Sequence, residues 1–137
     1  MTVIAVQPFI LRDVDLLIGA DNYEAHVSSV RFEPSSSTVT WKGLTPAAKF
    51  SAQTSAEWTC VLTLAQDWET ANSLASYLLA NEGESVDVTF RPVSGGPGFD
   101  ATLILSAPAI GGDVDTIPTS QVTCGVDGVP VPVAAIP

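Results

Sequence analysis

The chain is poor in positive charge. Its 137 residues hold 5 Lys+Arg against 15 Asp+Glu, a formal net charge of −10. A protein that grips nucleic-acid phosphates needs clustered cations to displace counterions, so that mode of binding is excluded. An anionic membrane surface is an equally poor partner. Ionised side chains of either sign are scarce, at 15% of residues against about 25% in ordinary soluble domains. Histidine occurs once, at His26, and cysteine twice, at Cys60 and Cys124, with no CxxC or His/Cys ligand spacing. The ligand sets of zinc sites are therefore missing, and no cofactor is expected. No apolar run approaches the roughly 18 residues of a membrane span. The opening Met1-Thr2-Val3-Ile4 lacks the basic region of a secretory signal, which points to a cytoplasmically made protein.

What is present is a neutral to apolar chain of one-domain length. Mean hydropathy is +0.32. A small domain has much surface to cover, and few charges are available to cover it. Neighbouring subunits are the expected cover.

Alternation of apolar and polar residues marks most of the chain as strand. Val3–Val6 is a short β-prone run stopped by Pro8, and Leu16–Ile18 is another, stopped by Gly19. His26–Phe32 alternates, with Val30 and Phe32 sharing a face with Ser28 and with Val27 on the other. It is followed by Pro34-Ser35-Ser36-Ser37 and a second β segment, Thr38–Lys42, which suggests a hairpin between 26–32 and 38–42. Residues 43–57 read either as a strand or as an extended excursion. The longest clean alternation runs from Glu57 to Gln66, with Trp58, Cys60, Leu62 and Leu64 on one face and Thr59, Val61, Thr63 and Ala65 on the other. That second face is weakly polar, so it is expected to be covered or to meet a partner.

Asp67 is a candidate helix N-cap, and Ala71, Leu74, Ala75 and Leu78 form one apolar stripe. The spacing predicts a helix over about 68–81, ended by Gly83. Val86–Phe90 and Phe99–Leu105 alternate across Ser94-Gly95-Gly96-Pro97-Gly98 and form a second hairpin. A last strand runs from Thr119 to Val126. Proline at alternate positions in the tail removes ladder donors, so residues 129–137 are expected to stay out of any sheet, free until a neighbour covers them. The domain is thus 1–128, with 129–137 as an extended tail. The fold class is mainly β, a sandwich or barrel with one flanking helix. Cys60 and Cys124 sit on two of these strands. They are either buried free thiols or, if the strands are adjacent and the Cα atoms lie within about 7 Å, a disulfide.

Residues with catalytic potential are few. Asp13-x-Asp15 and Asp113-x-Asp115 do not continue into a calcium-binding loop. Gly95-Gly96-Pro97-Gly98 lacks the lysine of a phosphate-binding loop and precedes a strand. Glu82, Glu84 and Asp87 read as solvated carboxylates at a helix end and strand start. An enzyme is not expected, because a nucleophile, an activator and an orienter are not found together. Trp41, on an exposed-looking arm, is a candidate interface anchor.

The order of these segments carries a resemblance. Glu57-Trp58-Thr59-Cys60-Val61-Leu62-Thr63-Leu64 runs into a helix with Leu74 and Leu78. It is followed by Gly83-x-x-Val86-x-Val88-x-Phe90, a Gly/Pro turn and a strand, then Ile110-Gly111-Gly112-Asp113-Val114, Ser120-Gln121-Val122-Thr123 and Val126-Asp127-Gly128-Val129-Pro130. Over roughly residues 26–130 this resembles the major tail (tail tube) proteins of long, non-contractile-tailed bacteriophages. The resemblance implies a subunit of a virion tail, assembled in the host cytoplasm into homohexameric rings that stack into a tube. Strands of the six subunits would form one inner β-barrel through which DNA passes without specific binding, and tail-tip and tail-terminator proteins would be further partners. It also implies contacts between rings through an extended loop and the termini. The matching positions are the 43–57 stretch with Leu44 and Phe50, Trp41 beside it, and Val129, Pro130 and Val131 of the tail. Candidate lumen carboxylates are Asp13, Asp15, Glu33, Asp87 and Asp100. Two other readings stand beside it: a carbohydrate- or receptor-binding module of a virion using Trp41 and Tyr23, and another virion part such as a head–tail connector or capsid decoration.

Overall fold

A computed structural model describes residues 2–136. Met1 and Pro137, the latter the last residue of the expected C-terminal tail, lie outside the described residues. The elements are β1 (Asp15–Ile18), β2 (Asp21–Asn22), β3 (Val27–Ser35), β4 (Thr38–Lys42), β5 (Lys49–Gln53), β6 (Glu57–Ala65), α1 (Leu74–Ala80), β7 (Ser85–Arg91), β8 (Gly98–Ile104), β9 (Thr119–Val126) and β10 (Val131–Val133). The fold is mainly β with one helix, as the alternation predicts. One antiparallel sheet has the order β2-β1-β7-β8-β9-β6-β3, with β10 also on β8, and β4-β5 form a separate pair.

The large sheet is doubled over. β7 and β3 are four strands apart in its order, which in a flat sheet is roughly 19 Å. Yet the rings of Phe90 on β7 and Phe32 on β3 lie 6.2 Å apart. The fold-over occurs at β9, which pairs with β6 from Thr119 to Gly125 but with β8 only through Val126 and Gly125. Between the two halves lies a single core of Leu16, Ile18, Cys60, Leu62, Leu64, Val88, Phe90, Leu103, Val122 and Cys124, joined by Leu74 and Leu78 of α1. Each large side chain in it is worth about 1.5–3 kcal/mol of burial. The sheet does not close on itself. A groove of about 510 Å³, lined by Arg12, Val14, Leu16, Val27, Val30 and Phe90, separates β1 from β3.

Several local expectations are corrected. Val3–Val6 form no strand and are exposed. Helix α1 starts six residues later than the stripe suggests, because Asp67 caps a turn instead. Its Oδ1 accepts the N–H groups of Glu69 and Thr70, both at 3.1 Å. Asn72 then takes a left-handed φ of 61°, which no helix tolerates in its interior. Ser73 is the true N-cap, accepting from Ser76 N–H at 3.4 Å. Leu74, Ala75 and Leu78 are buried as the stripe requires, while Ala71 is exposed.

Val27 does not face away from Val30. A bulge between Val27 and Ser29 shifts the register and sets Val27, Val30 and Phe32 all against the core. The hairpin between 26–32 and 38–42 does not form either. β3 pairs with β6, and β4 pairs with β5. Ser36 and Ser37 do not reverse the chain. Ser37 continues the ladder, its carbonyl accepting from Thr54 N–H at 2.8 Å and its N–H donating to Thr54 Oγ1 at 3.0 Å.

The tail joins the sheet after all. Val131 pairs with Asp100 and Val133 with Gly98. In an antiparallel ladder alternate residues turn their N–H toward the partner. The valines take those positions, so Pro130 and Pro132 lose only donors that face away from β8. Arg91 Nη1 donates to the Ala134 carbonyl at 2.9 Å, and Ile136 N–H donates to the Gly95 carbonyl at 3.0 Å. The chain folds the tail down before any neighbour is present.

Candidate assembly surface

The 36–56 segment is a two-stranded arm that continues the β3–β6 ladder beyond the core. Every residue of β4 and β5 is exposed. Trp41 and Phe50 are directly paired, with rings 5.8 Å apart, and are 61% and 67% exposed. The chain reverses over Gly43–Ala48, where Gly43 N–H donates to the Ala48 carbonyl at 2.6 Å. Glycine is required at 43, since a Cβ would stand 2.7 Å from Ala48 Cβ and 3.2 Å from the Trp41 ring. Leu44 at the tip is fully exposed. The structure thus brings together Trp41, Leu44 and Phe50, and adds Val39. Among the described residues nothing covers this apolar group.

The arm also holds a charge signal that the sequence reading missed. Lys42 and Lys49, the only lysines in the chain, face each other across it. No Asp or Glu lies between Ser35 and Ala56. Plotting charge sign along the chain would have found the segment.

Val129 and Val131 are exposed, and Pro130 is half-buried. They lie along β8 rather than on the arm. Beside them an apolar notch of about 270 Å³ is lined by Phe9, Pro92, Val93, Phe99, Pro132 and Val133.

Of the five candidate carboxylates, three share one sheet face. Cross-strand partners lie on the same side, and Asp15 pairs with Arg91, Asp87 with Thr102 and Asp100 with Thr89. Thr102 Oγ1 donates to Asp87 at 3.1 Å, and Thr89 Oγ1 donates to Asp100 at 2.6 Å. Asp15 holds the β7–β8 turn, accepting from Ser94 Oγ at 2.9 Å and Gly95 N–H at 3.0 Å. Asp13 precedes β1 and is exposed. Glu33 stands apart on β3, 3.5 Å from Arg31 in an exposed ion pair worth less than about 1 kcal/mol.

Tyr23 does not belong to any exposed aromatic platform. It is 3% exposed, its ring 6.0 Å from Tyr77, and burial with Asp21 nearby raises its phenol above the usual range. Asp67 is held below the usual carboxylate range by hydrogen bonds from Thr70 and Glu69. Cys60 and Cys124 are directly opposed on β6 and β9, buried and free. Burial pushes the Cys60 thiol up to about 12, so it is not a nucleophile at neutral pH. Among the described residues no group of His, Cys, Asp and Glu forms a metal cluster, and no helix is long and apolar enough to cross a membrane.

No family model matches this chain, and no curated protein sequence does. Solved structures do. A chain from the virion of a native gene transfer agent particle matches with a TM-score of 0.61 at 14% identity, over 88% of this chain and 96% of that one. A chain from the tail of an empty gene transfer agent particle, with C6 symmetry, matches with a TM-score of 0.63 at 12% identity over the same shares. A chain from the sheath/tube terminator of an extracellular contractile injection system matches with a TM-score of 0.63 at 12% identity, over 96% of this chain and all of that one. The shared property is the fold. It spans contractile and other assemblies, so it does not single out the non-contractile tails that the sequence resembles.

Proposed function

We propose that this chain is a structural, non-enzymatic subunit of a virion tail, forming sixfold rings that stack into a hollow tube. The observation that carries the reading is the fold shared along 88% of the chain with a subunit of a C6-symmetric tail. The chain's own physics supports it. The sheet ends in two unclosed edges, β2 and β3, and edge strands are protected when copies pair them. The arm exposes apolar side chains that none of the described residues covers.

The face carrying Asp15, Asp87 and Asp100 is the candidate lining of the conduit. Six copies at −10 each place about −60 on a ring, a field that repels DNA from the wall and lets it slide. Threonine hydroxyls hold two of these carboxylates in place without neutralising them. Asp13 extends the same patch, and Glu33 belongs to the opposite half of the sheet.

Negative-stain microscopy of the purified protein tests the reading. Rings or tubes of sixfold symmetry are expected. A monomer at every concentration and salt, absent from particle tails, overturns it. A second reading, a terminator that caps the tube, is favoured by the match to a sheath/tube terminator over its whole length. Copy number separates the two, since a tube subunit is among the most abundant proteins of the particle and a terminator is a minor one.

A further inference from the structure

The arm and one other exposed segment lie at opposite ends of the same strand. The arm leaves the Glu57 end of β6. At the Ala65 end sits the 107–118 loop, fixed by Gln66. The Gln66 side-chain amide donates to the Gly111 carbonyl at 2.8 Å and accepts from Gly111 N–H at 2.9 Å, while Gln66 N–H donates to the Pro118 carbonyl at 3.0 Å. The two ends of β6 are separated by about 26 Å at 3.3 Å per residue.

The loop is the chemical complement of the arm. Ile110, Val114 and Ile117 are strongly exposed, and Asp113 and Asp115 stand between them. Among the described residues neither aspartate and neither arm lysine has an ion-pair partner, the one salt bridge there joining Arg31 and Glu33. No Lys or Arg occurs from Pro92 to the end of the chain. The other apolar recesses suit the arm less well. The groove beside β3 sets Arg12 and Arg31 against Asp13 and Glu24, so it offers lysine no net negative charge, and the notch at Phe9 and Phe99 has no carboxylate.

We propose that the arm of one copy seats on the 107–118 loop of the next, with Trp41, Leu44 and Phe50 covering Ile110, Val114 and Ile117, and Lys42 and Lys49 facing Asp113 and Asp115. The proposal rests on the tail-subunit reading and names the acceptor surface within it. Donor and acceptor are different surfaces of one chain, so the contact is head-to-tail and propagates instead of closing as a dimer. The tethered loop and the ladder-bonded arm are both pre-shaped, which lowers the ordering cost of the contact.

Two sets of variants of the full chain test it. In Leu44→Cys/Val114→Cys, a mild oxidant should link assembled copies into a ladder of multimers on a non-reducing gel. The buried Cys60 and Cys124 do not compete. Separately, Lys42→Glu/Lys49→Glu should raise the concentration needed for assembly about tenfold, and adding Asp113→Lys/Asp115→Asn should restore it. Asparagine is chosen at 115 because the residue has a φ of 63°, which asparagine tolerates. Circular dichroism should show every variant folded, since all six sites are exposed. If wild-type protein forms no ring or tube, the tail-subunit reading fails and takes this one with it. If tubes form and the charge variants assemble like wild type, or only linked dimers appear, the arm docks elsewhere and this proposal alone is overturned.

Discussion

Cys60 and Cys124 meet side by side in the core, and their thiols must stay neutral there. Burial raises the Cys60 pKa from 9.0 to about 12. Below pH 9 both folded and unfolded chains keep the proton and the site costs nothing. Above it the unfolded chain ionises first, so stability is lost progressively as pH rises from 9 toward about 12. Urea denaturation across that range should show the fall, and Cys60→Ala should flatten it while lowering stability at neutral pH by the cost of a small cavity. At this scale the sequence was half legible. The face shared by Trp58, Cys60, Leu62 and Leu64 is correct because a two-residue period is local. Tyr23 was misread as exposed, and the bonds of Asp15 to the β7–β8 turn were invisible, because their partners Asn72, Ser94 and Gly95 arrive from 49 to 80 positions away.

Helix α1 owes its start to Ser73 rather than Asp67. Ser73→Ala removes the acceptor for Ser76 N–H and should cost about 1 kcal/mol, seen as a lower urea midpoint with an unchanged slope. The tail strand gives a second test. A chain ending at Asp127 loses the β10–β8 ladder and the Arg91 bond to Ala134. It should still fold but be less stable by about 2 kcal/mol, a few hydrogen bonds' worth. A tail that merely waited for a neighbour would leave the isolated subunit's stability unchanged. Strand positions were readable from alternation, and β9 matches its expected bounds residue for residue. Strand partners were not. Whether Thr38–Lys42 folds back on β3 or runs on into an arm depends on where Thr54 lies, and no local pattern encodes that. The helix start failed because two residues of good capping chemistry, Asp67 and Ser73, compete within six positions.

For the whole molecule the governing quantity is charge and its placement. The body is acidic, the arm is cationic, and Asp87 and Asp100 lie diagonally across β7 and β8 on one exposed sheet face. Asp87→Lys/Asp100→Lys should leave the fold and ring formation intact while making assembled tubes retain DNA, measured by co-sedimentation that falls as salt rises; wild-type tubes should retain none. Composition alone raised the expectation of neighbours, through few charges for the large relative surface of a small domain. Which surface meets which neighbour was hidden, since poles exist only once the strands are laid down. The separation of arm and loop along β6 gives the subunit a direction. On the proposed contact, a column of such copies would have unlike ends, one showing a rank of unseated fingers and the other a rank of empty seats. Every copy between them is equivalent, so the column keeps no record of how long it has grown. Whatever halts it must be a different molecule, shaped for one end and indifferent to the other.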